Sequence, residues 1–185
     1  MDIIQNKIGF VGPSFTLINR IKRFSFNLVW LLFCRFSPNF LHKWRIWVLN
    51  QFGASISYSA YVYPSISIWA PWNIKMADFA TLGPNVVCYN IENIILQRCA
   101  VVSQSAVLCT GSHNYHSNNF ELIAKPIILM ANSWVCAEAF VGPGVIIEEG
   151  AILGARAVAF KSLEPWRVYV GNPATYIKDR NIVNA

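Results

Sequence analysis

The sequence predicts an all-β protein: a parallel β-helix built from a six-residue repeat, preceded by a helical segment and followed by a short helix. Three observations support this prediction. Hexads with an aliphatic first residue and a small fifth residue recur from Ile56 to Val158. Each break in the repeat falls after a complete set of three hexads. Residues 1–53 lack the repeat and show the apolar spacing of helices instead.

The first segment, residues 1–53, is predicted to hold two helices, at residues 16–35 and 39–51. Asn39 suits an N-cap, and Gly53 marks the end of the second helix. Two interpretations stay open. The helices could cap the open end of the β-helix. Alternatively, residues 16–51 could lie on a membrane surface, because Trp30, Trp44 and Trp47 alternate there with Arg and Lys.

The second segment, residues 54–162, carries the repeat. The first residue of each hexad should point inward and stack on its equivalent one coil away, at about 4.8 Å along the axis. Three hexads make one triangular coil, so the insertions 74–75, 94–95 and 114–128 all fall at the same corner, and the last forms a loop. Glycines cluster at the second and fourth positions, where a turn needs them. The hexads begin at Ile56, Val62, Ile68, Met76, Leu82, Cys88, Leu96, Val102, Leu108, Leu129, Val135, Val141, Ile147 and Leu153.

The last segment, residues 163–185, reads as a tail in which Gly171-Asn172-Pro173 forms a turn. A short helix is predicted around residues 174–180.

Composition and charge narrow the class of protein. The chain has 185 residues, of which 55% are hydrophobic and 13% charged, which excludes a disordered chain or a solvated coiled coil. The net charge of +6 comes from the first 50 residues, which hold seven basic side chains and one acid. This asymmetry indicates an anionic partner such as a membrane surface or phosphates. The five cysteines show no zinc spacing.

The expected location is cytoplasmic, with the inner face of the membrane as a peripheral alternative. Met1–Phe15 lacks the pattern of a secretory signal. The longest strictly apolar run, Leu28–Cys34, is far shorter than a bilayer-spanning helix needs.

His113 is the candidate catalytic residue. It closes the hexad that precedes the long insertion, and a rigid coil edge beside a protruding loop can hold a functional group in place. Of the other two histidines, His42 lies in the helical segment and suits packing, whereas His116 lies in the loop and suits a substrate rim.

A set of motifs in the second half of the chain carries a resemblance to a known family. The motifs are Cys109-Thr-Gly-Ser-His113-Asn-Tyr, Lys125-Pro-Ile, Trp134-Val-Cys-Ala-Glu138-Ala-Phe-Val-Gly-Pro-Gly144, Gly154-Ala-Arg-Ala-Val158, Lys161 and Val170-Gly-Asn-Pro-Ala174. Together they resemble the hexapeptide-repeat acyltransferases, most closely the colanic-acid-type and nodulation-type sugar O-acetyltransferases. The resemblance covers about residues 16–180. It implies a left-handed β-helix, a homotrimer, and acetyl-CoA bound between adjacent prisms as the acetyl donor.

The resemblance also implies site residues. His113 is the matched general base, and Glu138 is the candidate that orients it, although a plain surface carboxylate fits Glu138 equally well. The cofactor-binding residues implied are Trp134, Ala137, Ala155, Lys161, Lys178 and Arg180. On the acceptor side they are Asn85, Asn90 and Tyr115, in a region that departs from the usual family pattern.

The chemistry is consistent with this assignment. A neutral imidazole can take the proton of a sugar hydroxyl as the oxygen attacks, and a thioester needs no enzyme nucleophile, so direct transfer is expected without a metal. Backbone N–H groups near Ala137 could stabilise the thioester oxygen.

Two alternatives remain at this point. One is N-acetylation of an amino sugar, and the other is a non-enzymatic β-helix scaffold. A carbonic anhydrase on the same scaffold would need three convergent histidines, which this chain lacks beside the repeat. Nucleic acid is not an expected partner.

Overall fold

The computed structural model describes residues 14–181 and shows a parallel β-helix with three sheets as its sides. Sheet 1 contains β1 (Ser55–Ile56), β4 (Ile74–Met76), β7 (Ile94–Leu96), β12 (Ile127–Leu129) and β15 (Ile146–Ile147). Sheet 2 contains β2 (Tyr61–Val62), β5 (Thr81–Leu82), β8 (Val101–Val102), β13 (Trp134–Val135), β16 (Ile152–Leu153), β18 (Arg167–Val170) and β19 (Thr175–Asp179). Sheet 3 contains β3 (Ser67–Ile68), β6 (Val87–Tyr89), β9 (Val107–Cys109), β14 (Phe140–Val141) and β17 (Val158–Ala159).

The core forms as the repeat predicts. The first residue of every predicted hexad is buried. On sheet 1, Ile56 pairs in register with Met76, Met76 with Leu96, Leu96 with Leu129 and Leu129 with Ile147. No coil can bury this column of side chains alone, so the stacking of coils is what removes it from water.

The corners are named by the sheets they join, as corner 1–2, corner 2–3 and corner 3–1. At many corners the fourth hexad residue has the left-handed backbone conformation, with a positive φ. The predicted glycines Gly144 and Gly150 both adopt it. Non-glycine residues also adopt this conformation: Phe79, Asn85, Cys99, Ser105, Asn132, Glu138 and Arg156. A left-handed L-residue costs about 1–2 kcal/mol. Hydrogen bonds to the coil below offset this cost, as when the Glu138 N–H donates to the Gln104 carbonyl at 3.0 Å.

All three insertions lie at corner 3–1, which confirms the predicted position. The short insertions are the beginnings of sheet 1 strands, because Ile74 and Ile94 are fully buried. The long insertion differs from the predicted loop 114–128. It forms an antiparallel hairpin of β10 (Gly111–His113) and β11 (Leu122–Ala124), and Ile127 already belongs to sheet 1. The hairpin leaves the coil before His113, because the Thr110 hydroxyl and carbonyl already bond neighbouring backbone groups.

The N-terminal helices are α1 (Leu17–Phe33) and α2 (His42–Gln51), and α2 lies on the first coil. Asn39 is not the N-cap, so that prediction is wrong: Leu41 holds the position without a side-chain cap. The reason is that the Asn39 carbonyl accepts from the Arg45 guanidinium at 2.6 Å, which fixes residue 39 in the connecting turn. Gly53 follows the helix end with a φ of 91°.

The predicted C-terminal helix around residues 174–180 is also wrong. The turn at Gly171 reverses the chain, and β19 pairs antiparallel with β18. β18 adds to sheet 2 beside β16 and offers an open edge on which β19 pairs. Tyr176 and Ile177 in β19 also favour strand over helix. Tyr169 of β18 stacks on Leu153, so the β-helix continues beyond residue 162.

Within residues 14–181, neither helix has the length and apolar character required to cross a bilayer.

Candidate active site

His113 lies at the base of the hairpin, where β10 pairs it with Leu122 of β11. Its Nδ1 atom is 2.8 Å from the Phe120 carbonyl oxygen. A carbonyl oxygen can only accept, so this contact assigns the imidazole proton to Nδ1 and leaves the Nε2 lone pair available as a base. The Phe120 ring also stacks on the imidazole, with centroids 4.6 Å apart and an interplanar angle of 12°. The ring is therefore held in one orientation while it remains only partly buried.

The hairpin that carries His113 is fixed by residues that sequence reasoning missed. Thr110 is fully buried, and its hydroxyl donates to the Tyr89 carbonyl at 3.1 Å and accepts from the Glu92 N–H at 3.0 Å. Near the tip, the Asn114 amide donates to the Glu121 carboxylate at 2.8 Å. Hydrogen bonds from Ser117, the backbone and Asn114 lower the pKa of Glu121 below its usual value. The sequence signal that could have indicated this hairpin was the pair of polar residues Asn114 and Glu121, seven positions apart in the loop.

Glu138 lies at corner 2–3, on a different edge of the prism from the hairpin at corner 3–1. Its carboxylate accepts from Arg156 Nε at 2.7 Å. The hydrogen bond and charge of Arg156 lower the pKa of Glu138. Within one chain, the described side-chain contact of Glu138 is therefore to Arg156 in the next coil, whereas the contact that orients His113 comes from Phe120.

The other residues implied for cofactor binding are spread around the prism. Ala137 and Ala155 share corner 2–3, and the Ala137 carbonyl accepts from the Arg156 N–H at 3.0 Å. Trp134 is exposed on sheet 2, and its indole donates to Ser103 Oγ at 2.8 Å. It lines a shallow cleft of about 240 Å³. This part of the set forms one surface along sheet 2 and corner 2–3.

The basic members occupy different places. Lys178 is exposed on β19, at the edge of sheet 2, and Lys161 is exposed after β17, near corner 3–1. Arg180 lines the Trp134 cleft, and its guanidinium donates to the carbonyls of Asn132 and Gly150 at 2.8 Å each.

The acceptor residues separate as well. Asn85 is exposed at corner 2–3, and Tyr115 is exposed near the hairpin tip. Asn90 is fully buried, and its side-chain oxygen accepts from the N–H groups of Trp69 and Ala70 at 3.1 and 3.0 Å. The predicted contact of Asn90 with substrate is therefore replaced by a structural role, because its amide holds the chain turn at corner 3–1.

The geometry thus gives two groups on separate edges of one chain: the oriented imidazole at corner 3–1, and the surface of sheet 2 with corner 2–3. Among residues 14–181, no group of three His, Cys, Asp or Glu side chains could hold a metal ion.

Comparison with known proteins identifies the family. The chain is 37% identical, over 178 residues, to a protein of Escherichia coli K12 named as the colanic acid biosynthesis acetyltransferase WcaF, and the match covers 96% of this chain and 98% of WcaF. This chain belongs to the WcaF family of acetyltransferases. The enzyme is thus an acetyltransferase with a hexapeptide-repeat β-helix. No family model matches the sequence.

Solved structures show the same fold as this WcaF-family enzyme. A hexapeptide-repeat acetyltransferase of Vibrio cholerae, solved with acetyl coenzyme A, has a TM-score of 0.79 and 19% identity, covering 94% of this chain and 95% of that one. A maltose O-acetyltransferase of Clostridium difficile 630 has a TM-score of 0.76 and 20% identity, covering 90% of each chain.

Proposed function

We propose that the enzyme transfers an acetyl group from acetyl-CoA to a sugar hydroxyl of an exopolysaccharide or other surface glycan precursor, with His113 as general base. The observation that carries the proposal is the Nδ1 contact of His113 with the Phe120 carbonyl, because it presents Nε2 as the basic atom. The acetyltransferase family and the sugar acceptors named for relatives support the substrate class.

His113 acts on the acceptor hydroxyl. Nε2 takes the hydroxyl proton while the oxygen attacks the thioester carbonyl, so that the C–O bond forms and the C–S bond breaks. The imidazolium then returns its proton to the departing thiolate. The positive charge that develops on the ring is stabilised by the Phe120 carbonyl dipole at Nδ1–H. Such a base contributes roughly 10²–10⁴-fold to the rate.

We propose that each active site forms between two copies in a homotrimer. The proposal is supported by the separation of His113 at corner 3–1 from Trp134, Ala137 and Ala155 on the other side of the prism. A groove between adjacent prisms would bring one copy's His113 hairpin to its neighbour's sheet 2. Exposed Lys178 would then lie beside the groove as a charge partner for coenzyme phosphates.

A complementation experiment tests the shared site. His113→Ala removes the base, and Ala155→Trp fills the groove at an exposed position. Each variant alone should be inactive. Trimers reassembled from an equal mixture should recover about a quarter of the normal activity, because one interface in four joins the intact halves. A mixture as inactive as its components would place the site within a single chain.

We also propose that the helical segment lies against an anionic membrane surface. The face of α1 formed by Leu17, Ile21, Phe24, Leu28 and Leu31 is exposed along its whole length. Residues 14–53 contain six basic side chains and no acid, and all of the six except the buried Arg45 are at least partly exposed. An apolar face flanked by cations is the pattern of an interfacial helix.

Vesicle flotation tests the membrane contact. The enzyme should float with phosphatidylserine vesicles and less with neutral phosphatidylcholine vesicles, because the basic residues add an electrostatic contribution. Phe24→Glu combined with Leu28→Glu should abolish flotation, whereas Tyr58→Glu, at another exposed residue, should not. Equal flotation of the two variants would refute the role of α1.

Activity itself is tested by release of free thiol from acetyl-CoA in the presence of saccharide acceptors. O-acetylation gives an ester that hydroxylamine cleaves, whereas N-acetylation gives a resistant amide. A hydroxylamine-resistant product would overturn the proposed acceptor group.

A further inference from the structure

The first coil presents an unpaired strand edge on each of its three sides, and α2 covers two of them. On sheet 1, the Asn50 amide donates to the Ile56 carbonyl and accepts from the Ile56 N–H, both at 3.0 Å. On sheet 2, the Val62 carbonyl accepts from Arg45 Nε at 2.7 Å. Side chains thus satisfy the whole Ile56 peptide edge and the Val62 carbonyl in place of the missing strand, as buried peptide groups require.

The third edge, on sheet 3, has no equivalent cap among residues 14–181. The N–H groups of Ser67 and Trp69 donate to the next coil, which leaves the N–H and carbonyl of Ile68 pointing to the open edge. Ile68 is only 5% exposed. Here α1, rather than α2, lies beside the coil, and a cleft of about 410 Å³ separates them.

The cleft also holds an unpaired donor. Trp30 lines it and is 8% exposed, and its Nε1 is buried without a hydrogen-bond partner. The indole groups of Trp44 and Trp134, by contrast, both have acceptors. A buried donor without an acceptor is unfavourable and rare in folded proteins. The wall of the cleft therefore holds a buried, unmatched donor, close to a peptide group without a cap among the described residues.

The cleft is cationic and aromatic as well. Arg35 lines it and has no acidic partner among the described residues. Phe26 lies beside Trp30, with ring centroids 5.7 Å apart, and both rings line the cleft. Aromatic walls with a few polar groups suit a ring that is apolar on its face and hydroxylated at its edge.

We propose that this cleft binds an acidic sugar unit, one that carries a carboxylate or a phosphate. Its hydroxyls would pair with the Trp30 N–H and the Ile68 peptide group, and its anionic group with Arg35. The proposal rests on the proposed function in one respect, because the bound unit would be a non-reacting part of the glycan acceptor. The cleft adjoins the predicted acceptor residue Asn85, whose N–H donates to Ser65 Oγ, in the cleft lining, at 2.9 Å.

The indole N–H signal of Trp30 in a ¹H–¹⁵N spectrum reports on the cleft directly. Trp30→Phe assigns the signal by its loss and removes the donor while keeping an aromatic wall. Titration uses four probes: a hexuronate, a hexose 1-phosphate, the neutral hexose and inorganic phosphate. Arg35→Gln removes the cation, and Trp47→Phe and Lys43→Gln are matched exposed controls on α2.

The hexuronate or the hexose 1-phosphate should shift the Trp30 signal saturably, and which of them binds tighter identifies the acid. Arg35→Gln should weaken that binding by roughly tenfold, because a charge-assisted contact is lost. Trp30→Phe should weaken it as well, and both controls should leave it unchanged. The neutral hexose should bind at least about tenfold more weakly than the acidic sugar.

Three results would overturn the proposal: no saturable shift with either acidic sugar, equal binding by inorganic phosphate, or unchanged affinity in Arg35→Gln. These readouts need no acetyl-CoA. Loss of the cleft signal with normal acetyl transfer would remove this inference alone, and cleft binding without any acetyl transfer would remove the proposed function alone.

Discussion

Replacing Arg45 by methionine tests how the helical segment is held on the β-helix. Arg45 is fully buried, and burial lowers its pKa. Its guanidinium donates to the carbonyls of Val62, Pro38 and Asn39 at 2.7, 2.8 and 2.6 Å. One side chain thus joins α2, the connecting turn and the edge of sheet 2.

The magnitude follows from the hydrogen bonds that are lost. Each of the three contributes about 1–1.5 kcal/mol, so their loss costs about 3–4.5 kcal/mol. Methionine fills much of the same volume and returns about 1 kcal/mol through apolar burial. Arg45→Met should therefore lower the free energy of unfolding by about 2–3.5 kcal/mol.

Urea unfolding followed by circular dichroism measures the change. Lys43→Met, on the exposed side of the same helix, is the control and should stay within about 0.5 kcal/mol of the wild type. An Arg45→Met variant as stable as this control would refute the conclusion that the guanidinium holds the helical segment on the β-helix.

Three further predictions concern single residues. Burial lowers the pKa of His42, so the folded state resists protonation of its ring. The urea midpoint of the wild type should therefore fall as the pH drops from 7.5 to 5.5, through the ordinary histidine range, and the midpoint of His42→Gln should fall less. A Cβ on Gly83 would lie 2.9 Å from the Val102 carbonyl oxygen, so Gly83→Ala should cost about 1–3 kcal/mol in thermal unfolding, and an unchanged midpoint would contradict the close approach. Asn90→Ala should lower stability by about 2–3 kcal/mol while the KM for the acceptor stays constant, whereas a raised KM at normal stability would restore its predicted substrate contact.

The repeat predicted most of the fold because a six-residue period leaves few choices. An aliphatic residue at every first position can be buried only if successive coils stack in register, and Leu82 on Val102 on Val135 does so. The corner that takes the insertions followed from counting hexads. The left-handed sense of the β-helix stays a prediction from the family resemblance, because a six-residue period does not indicate in which sense the coils wind.

The errors arose where long-range contacts decide local structure. Asn39 has the side chain of an N-cap, but Arg45 takes its carbonyl and the helix begins later. Residues 174–180 have no strong helix signal, and the open edge of sheet 2 makes them a strand. Sequence spacing could not show either partner.

The site was predictable only in part. The position of His113 before the insertion made it the candidate base, but the carbonyl that orients its ring comes from Phe120, across a hairpin whose register the sequence did not reveal. The role of Glu138 in orienting His113 stays a prediction. Its described partner within the chain is Arg156.

The most direct measurement compares single-turnover acetyl transfer by the wild type and by His113→Ala, with acetyl-CoA and acceptor saturating. His113 is partly exposed on a hairpin outside the core, so the variant should fold normally and bind acetyl-CoA. We expect its rate to fall by at least about a hundredfold. A folded His113→Ala enzyme that transfers acetyl groups at close to the wild-type rate would contradict the role of Nε2 as the base.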